Sequence, residues 1–96
     1  MNERFNKGME TMRQYVSEEE LQQMVSNDAL AHIAPDLRKL IVEYAYGDIY
    51  SRGELGAKER ALVVISTVVT QGAAPQTKTH IKRGLFAGLT EAQIVE

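Results

Sequence analysis

The chain has no cysteine at any of its 96 positions. That excludes a disulfide, thiol redox chemistry and a cysteine-ligated metal, and it fits a reducing, cytoplasmic setting. It also leaves a small fold without a covalent staple. A chain of this size has a thin core, so self-association is the remaining support. A basic excess is missing too: 11 Lys and Arg stand against 13 Asp and Glu, for a net charge of −2. This argues against a nucleic-acid partner. No apolar run approaches the roughly 18–20 residues of a membrane span; the longest uncharged run, from Ala61 up to Lys78, is interrupted by Ser, Thr and Gln. The N-terminal stretch MNERFNKGMETMRQ has no apolar signal core and carries acids, so neither a secretory nor a transit peptide is expected. Histidine is scarce, with His32 and His80 alone.

What is present reads as helix. Phe5, Met9, Met12 and Val16 recur at helical spacing. Ser17 with Glu20 forms an S-x-x-E start for a short helix carrying Leu21, Met24 and Val25, closed by Asn27-Asp28. Pro35 suits the first position of a third helix, with Asp36 in its first turn and Leu37, Leu40, Ile41, Tyr44 and Ile49 along one side. Residues 51–56, SRGELG, read as a loop. Ala57 to Gln71 is the most apolar segment and the expected centre of the core. ALVVISTVV is rich in β-branched residues and also compatible with a strand. The KER start and the lack of a partner strand favour helix. Gly72 ends that helix; Pro75 begins the next and Gly88 ends it. Thr90 with Gln93 starts a last helix, which the chain leaves at Glu96. The expectation is an all-α single domain over residues 1–96, with about five helices.

On the Pro75 helix, Gln76, Thr77, His80, Arg83 and Gly84 share one face. A histidine there can move a proton near neutral pH, and Arg83 one turn away can hold a carboxylate by two parallel hydrogen bonds. That pairing suits a small carboxylic acid. The plainer alternative is a solvated basic face of Lys78, Lys82 and Arg83, with His80 as surface or interface filler. Gly84 and Gly88, four apart, suit one close helix crossing. Tyr44, Tyr46 and Tyr50 form the main aromatic cluster, read as core or subunit interface.

Three stretches together resemble the carboxymuconolactone decarboxylase family: PDLRKLIVEYAYGDIYSRGEL (35–55), KERALVVIS (58–66) and THIKRGLFAGLTEAQIVE (79–96). The resemblance implies an all-helical, alkylhydroperoxidase D-like fold, assembled as a homotrimer or homohexamer. It also implies a cofactor-free and metal-free reaction on a small carboxylic acid; members of the family continue past the equivalent of Glu96, so the sequence here is either trimmed or truncated. The histidine of the family falls on His80, which is the implied proton-transfer residue. Arg83, Arg60, Arg52 and Tyr50 are the implied substrate contacts, and Gln76, from its place on the His80 face, is a further candidate to orient the imidazole or a ligand. In a thiol-dependent branch of the same superfamily the two cysteines correspond to Ala73 and Gln76, and a glutamate to Ala61, so thiol peroxidase chemistry is excluded. Gly56 stands where the family often has a capping Asp. Two functions follow: a decarboxylase or isomerase of a cyclic carboxylic acid, or a non-catalytic oligomeric scaffold of the same fold.

Overall fold

The computed structural model describes residues 2–96, and every regular element among them is helical. The chain forms two compact units, one running to Arg52 and the other from Gly53 to Glu96. In the first unit, α1 (Glu3–Met12) is followed by α2 (Glu18–Ser26) and by a short α3 (Leu37–Leu40). α3 runs on into a π-helical segment, Ile41–Ile49. The second unit holds α4 (Ala57–Thr70), α5 (Ala74–Phe86) and α6 (Glu91–Val95).

Capping chemistry sets most of the boundaries. Asn2 caps α1, its Oδ1 accepting from the Phe5 N–H at 2.8 Å. Ser17 does the same for α2 through the Glu20 N–H. Thr90 and Gln93 form a reciprocal box at α6, at 3.0 and 2.9 Å. Gly72 and Gly88 each sit just past a helix end at positive φ, +71° and +111°. Behind each, the chain closes back on the last turn. The Leu89 N–H donates to Gly84 C=O and the Gly88 N–H to Leu85 C=O; Ala73 and Gly72 repeat the pattern on Val68 and Val69. Only a residue without a Cβ takes that left-handed position at no steric cost.

α3 departs from expectation at its start. Pro35 lies in a turn and the helix begins at Leu37. The Leu37 N–H donates to Ala34 C=O at 3.1 Å, and Asp36 has φ −93° and ψ −5°. That is a type I turn with proline at its second position, the other place where a fixed φ is useful. Asp36 therefore occupies the N-cap position, and not the first helical turn.

Beyond Leu40 the backbone turns widen, and the Tyr50 N–H reaches back five residues to Ala45 C=O at 2.8 Å. Burial there follows the wider winding. Val42, Glu43, Tyr46 and Gly47 are buried, whereas the expected stripe of Leu37, Leu40, Ile41 and Tyr44 is exposed and Ile49 is half-buried. The face that packs is the one α1 can reach. A Cβ added to Gly8 would collide with the Val42 carbonyl, and one added to Gly47 would lie 2.7 Å from the Arg4 carbonyl. The two backbones thus meet where side chains are absent. Polar ties flank the contact: Arg4 pairs with Asp48 at 2.7 Å, and the buried Glu43 carboxylate accepts from Asn2 at 2.6 Å and Lys39 at 3.1 Å. Phe5, Met12 and Val16 are buried as their spacing predicts, and Met9 is half-buried. Tyr15 stacks edge-on against Tyr46 and Tyr50, at 6.3 and 5.5 Å between ring centres. Tyr44 stands outside this cluster and is 62% exposed.

In the second unit the β-branched segment is helix throughout α4. It is less buried than its composition suggests. Ala61, Ile65 and Val68 are buried against α5, while Leu62, Val63 and Val69 remain exposed. α5 supplies one packing face, and a helix can bury only what a neighbour covers. The crossing is centred on Gly84, where an added Cβ would lie 3.0 Å from Leu89, 3.1 Å from Ile65 and 3.6 Å from Ala61.

Gly8→Ala tests the glycine contact in the first unit. The methyl gains about 1 kcal/mol of helix propensity. It must also displace backbone, which cannot rotate aside as a side chain can, at the upper end of the about 1–3 kcal/mol typical of overpacking. The expected result is a lowered thermal midpoint. A midpoint equal to or above that of the unaltered chain contradicts the close approach.

Candidate functional site

α5 carries the candidate residues, and its local chemistry places them. Pro75 lies in the first turn, where its missing N–H costs nothing. The Thr77 hydroxyl donates to Ala73 C=O at 2.9 Å, closing that turn. Gly84 then fixes how closely α5 lies on α4. Ala61 and Gly84 face one another at this crossing, so Arg60 and Arg83, each one residue earlier, flank the contact from opposite helices. His80 sits one turn before Gly84.

His80 and Arg83 are both half-buried, as is Arg60, whose Nε is fully enclosed. Burial pushes the His80 imidazole below its ordinary pKa, and the positive charge of Arg83 adds to the effect. His80 is therefore a neutral imidazole at pH 7, with one nitrogen free to accept a proton. Gln76 shares the face but is exposed. Tyr50 and Arg52 belong to the first unit. There Tyr50 packs on Tyr46 at 4.6 Å, and Arg52 is exposed. His32 is exposed in the turn region before Pro35. Among the described residues there is no group of three or more His, Asp or Glu placed to hold a metal ion. No helix among them is long and apolar enough to cross a membrane.

Sequence reasoning missed a second feature of α5. An open groove of about 530 Å³ runs along the α4–α5 corner, and His80 is not among the residues that line it. Val69 and Ile81 give it an apolar floor, and Lys78 and Lys82 stand along it. The i, i+4 lysine pair was the visible signal; the floor required knowing how α4 turns into α5.

The profile of the carboxymuconolactone decarboxylase family matches residues 35–96. Among individual relatives, 4-carboxymuconolactone decarboxylase of Acinetobacter baylyi is 23% identical over 94 residues, covering 98% of this chain and 69% of its own length. Peroxisomal protein 2 of Schizosaccharomyces pombe is 34% identical over 61 residues, 62% of this chain and 29% of its own. An uncharacterized 15.0 kDa protein of Paracoccus denitrificans is 31% identical over 70 residues, 71% of this chain and 52% of its own. The chain thus spans from under a third to just over two thirds of these relatives.

The lowered His80 pKa makes a prediction about stability. Below the ordinary histidine pKa of about 6.5 the unfolded chain takes up this proton more readily than the folded one. The native state therefore loses stability as pH falls through that value, until His80 is protonated in both states. The carboxylates act in another window. Glu43, held down by Asn2 and then Lys39, and Asp48, held down by Arg4, stabilise the fold above the ordinary carboxylate range and lose that effect only as pH falls through their lowered values. Urea midpoints should thus decline between pH 7 and pH 5, and His80→Gln should flatten this part of the profile alone. Identical slopes for the two proteins would exclude a desolvated imidazole.

Proposed function

This chain belongs to the carboxymuconolactone decarboxylase family, and from that premise we propose that it decarboxylates or isomerises a small cyclic carboxylic acid, with His80 carrying the proton. The observation that supports this most is the half-buried neutral imidazole one helical turn from a guanidinium. Arg83, with Arg60 on the facing helix, is assigned the substrate carboxylate. The guanidinium fork matches two carboxylate oxygens, and partial burial strengthens the pairing.

In a double-bond shift, neutral His80 takes a proton from one ring carbon, leaving a dienolate, and returns it to the carbon at the other end of the conjugated system. No atom is gained or lost. In decarboxylation the carbon–carboxyl bond breaks, carbon dioxide leaves, and the bonding pair passes into the conjugated system. His80, having drawn a proton from solvent, delivers it to the resulting enolate carbon. A depressed pKa suits the double-bond shift, in which the residue is a base when substrate arrives; in decarboxylation it makes the imidazolium, once formed, a readier proton donor. The arginines raise the substrate's local concentration and fix its orientation. Gln76 is assigned to the edge of the same face.

The test is carbon dioxide release and ultraviolet change on a panel of cyclic and lactone carboxylic acids. His80→Ala should lower turnover by about 10²- to 10⁴-fold with the helical signal unchanged. Arg83→Ala should act mainly through weaker substrate binding. A wild-type chain inactive on the whole panel, or a His80→Ala chain of full activity, removes the catalytic reading. An inactive wild type leaves the non-catalytic scaffold of the same fold.

Self-association belongs to the same proposal. Val63 on α4 is 57% exposed, and Leu40 and Tyr44 in the first unit are 56% and 62% exposed. Apolar side chains of this size in so short a chain favour burial against further copies, as a trimer or hexamer. Sedimentation at micromolar concentration should show no 10.7 kDa monomer; a stable monomer refutes it.

A further inference from the structure

We propose that Ile41–Ile49 is a two-state element. α1, docked through Gly8 and Gly47, holds it in its π winding; when α1 undocks, the segment rewinds as an α-helix and Tyr50 turns out of the tyrosine cluster. The winding itself calls for a cause. Helices with i→i+5 hydrogen bonds are rare, and most span a single turn; here the segment runs for nine residues. Nothing inside it enforces the wide turns. It has no proline, and Gly47 is the one residue of IVEYAYGDI that an α-helix strongly disfavours. The α-helical Leu37–Leu40 leads into it without a break, so the chain is already wound the tighter way up to Leu40.

The cause lies where α1 touches it. In an i→i+5 register Val42 and Gly47 are partners across one turn, and α1 engages both. Gly8 lies so close to the Val42 carbonyl that a Cβ would collide with it, and the Arg4 carbonyl lies 2.7 Å from the place of a Gly47 Cβ. Two polar ties hold the same stretch, Asn2 to Glu43 at 2.6 Å and Arg4 to Asp48 at 2.7 Å. Rewinding breaks this set. An α-helix pairs Gly47 with Glu43 and turns about 100° per residue, more than the wider coil does, so positions late in the segment rotate furthest. Docking of α1 is thus made with one winding and lost with the other, and such a differential contact is what shifts a two-state equilibrium. The far end is where the shift is felt. The Ser51 hydroxyl donates to Gly47 C=O at 2.5 Å and closes the segment. Beside it, Tyr50 lies 5.5 Å from Tyr15 and 4.6 Å from Tyr46 between ring centres. Tyr15 follows directly on α1, so undocking and rewinding both carry it away from Tyr50. This device stands whether or not the catalytic reading does; where that reading holds, α1 sets the direction of Tyr50, one of the implied substrate contacts.

The test reads hydrogen-bond connectivity along the segment, as amide–carbonyl couplings across hydrogen bonds in NMR of the full chain, together with close proton contacts between α1 and the segment. The unaltered chain should couple the Gly47 amide to the Val42 carbonyl and the Tyr50 amide to the Ala45 carbonyl. Gly47→Ala sets a methyl against the Arg4 carbonyl and favours the tighter winding. Both couplings should then be lost, replaced by position 47 to Glu43 and Tyr50 to Tyr46. The α1 contacts and the Tyr15–Tyr50 ring contact should be lost with them. A second variant leaves the segment unaltered and decides the matter if the first does not fold. Asn2→Asp keeps the oxygen that caps α1 but sets a second carboxylate against Glu43, and Arg4→Gln releases Asp48; together they should move the couplings the same way. The two-state element is overturned if the unaltered chain shows i→i+4 couplings throughout, or if winding and docking change independently in either variant. It is also overturned if the segment loses its couplings altogether, having melted and not rewound, or if every folded variant keeps both the wide couplings and the α1 contacts.

Discussion

Where α4 crosses α5, three side chains converge on a residue that has none. Ile65 and Ala61 come from one helix and Leu89 from the turn beyond the other, and all three approach the space a Cβ of Gly84 would take. Leu89 reaches that space because Gly88 takes a positive φ and sends the chain back over the last turn of α5. The glycine at the helix end and the glycine at the crossing thus work as a pair. The first redirects the chain and the second receives the leucine it redirects. Every feature assigned to α5 inherits its place from this contact. His80 and Arg83 lie just before it, and their partial burial follows from how closely the two helices meet.

The first unit uses the same device with other partners. Gly8 and Gly47 let the backbone of α1 lie against the Ile41–Ile49 segment. Around that contact, Asn2 does two jobs: one amide atom caps α1 while the other donates to Glu43. A carboxylate as buried as Glu43 would be costly without its partners. With Asn2 and Lys39 in place its pKa is lowered, so it is an ionised, satisfied group and not a poised acid. His80 has the opposite history. Its burial goes uncompensated by any acid, the charge of Arg83 adds to the effect, and the imidazole is held neutral.

The two faces of α5 divide its chemistry. One carries His80 and Arg83 toward the crossing with α4, and the other carries Lys78 and Lys82 along an apolar trough. Residues three or four apart stack on one side of a helix, whereas residues two apart diverge. A run of five residues, His80 to Gly84, therefore serves separate surfaces.

Much of this was legible in the chain itself, because it rests on interactions between near neighbours. The caps at Ser17 and Thr90, the stops at Gly72 and Gly88, and the shared face of His80 and Arg83 all involve residues within about one turn of each other. The helical state of α4 was legible as well, despite its β-branched run, because no second strand existed to pair with it. What failed concerned which face is covered. The stripe from Leu37 to Tyr44 has good helical period yet is exposed, because α1 approaches through Gly8 and Gly47 and selects Val42 and Tyr46 instead. Tyr44 left the aromatic cluster and Tyr15, thirty-one residues before Tyr46, entered it. The wide turns of Ile41–Ile49 and the trough beside Gly72 had no local signature. Periodicity states which residues share a side of a helix; only the approach of another backbone decides which side is buried, how far an imidazole loses its water, and where a cavity remains.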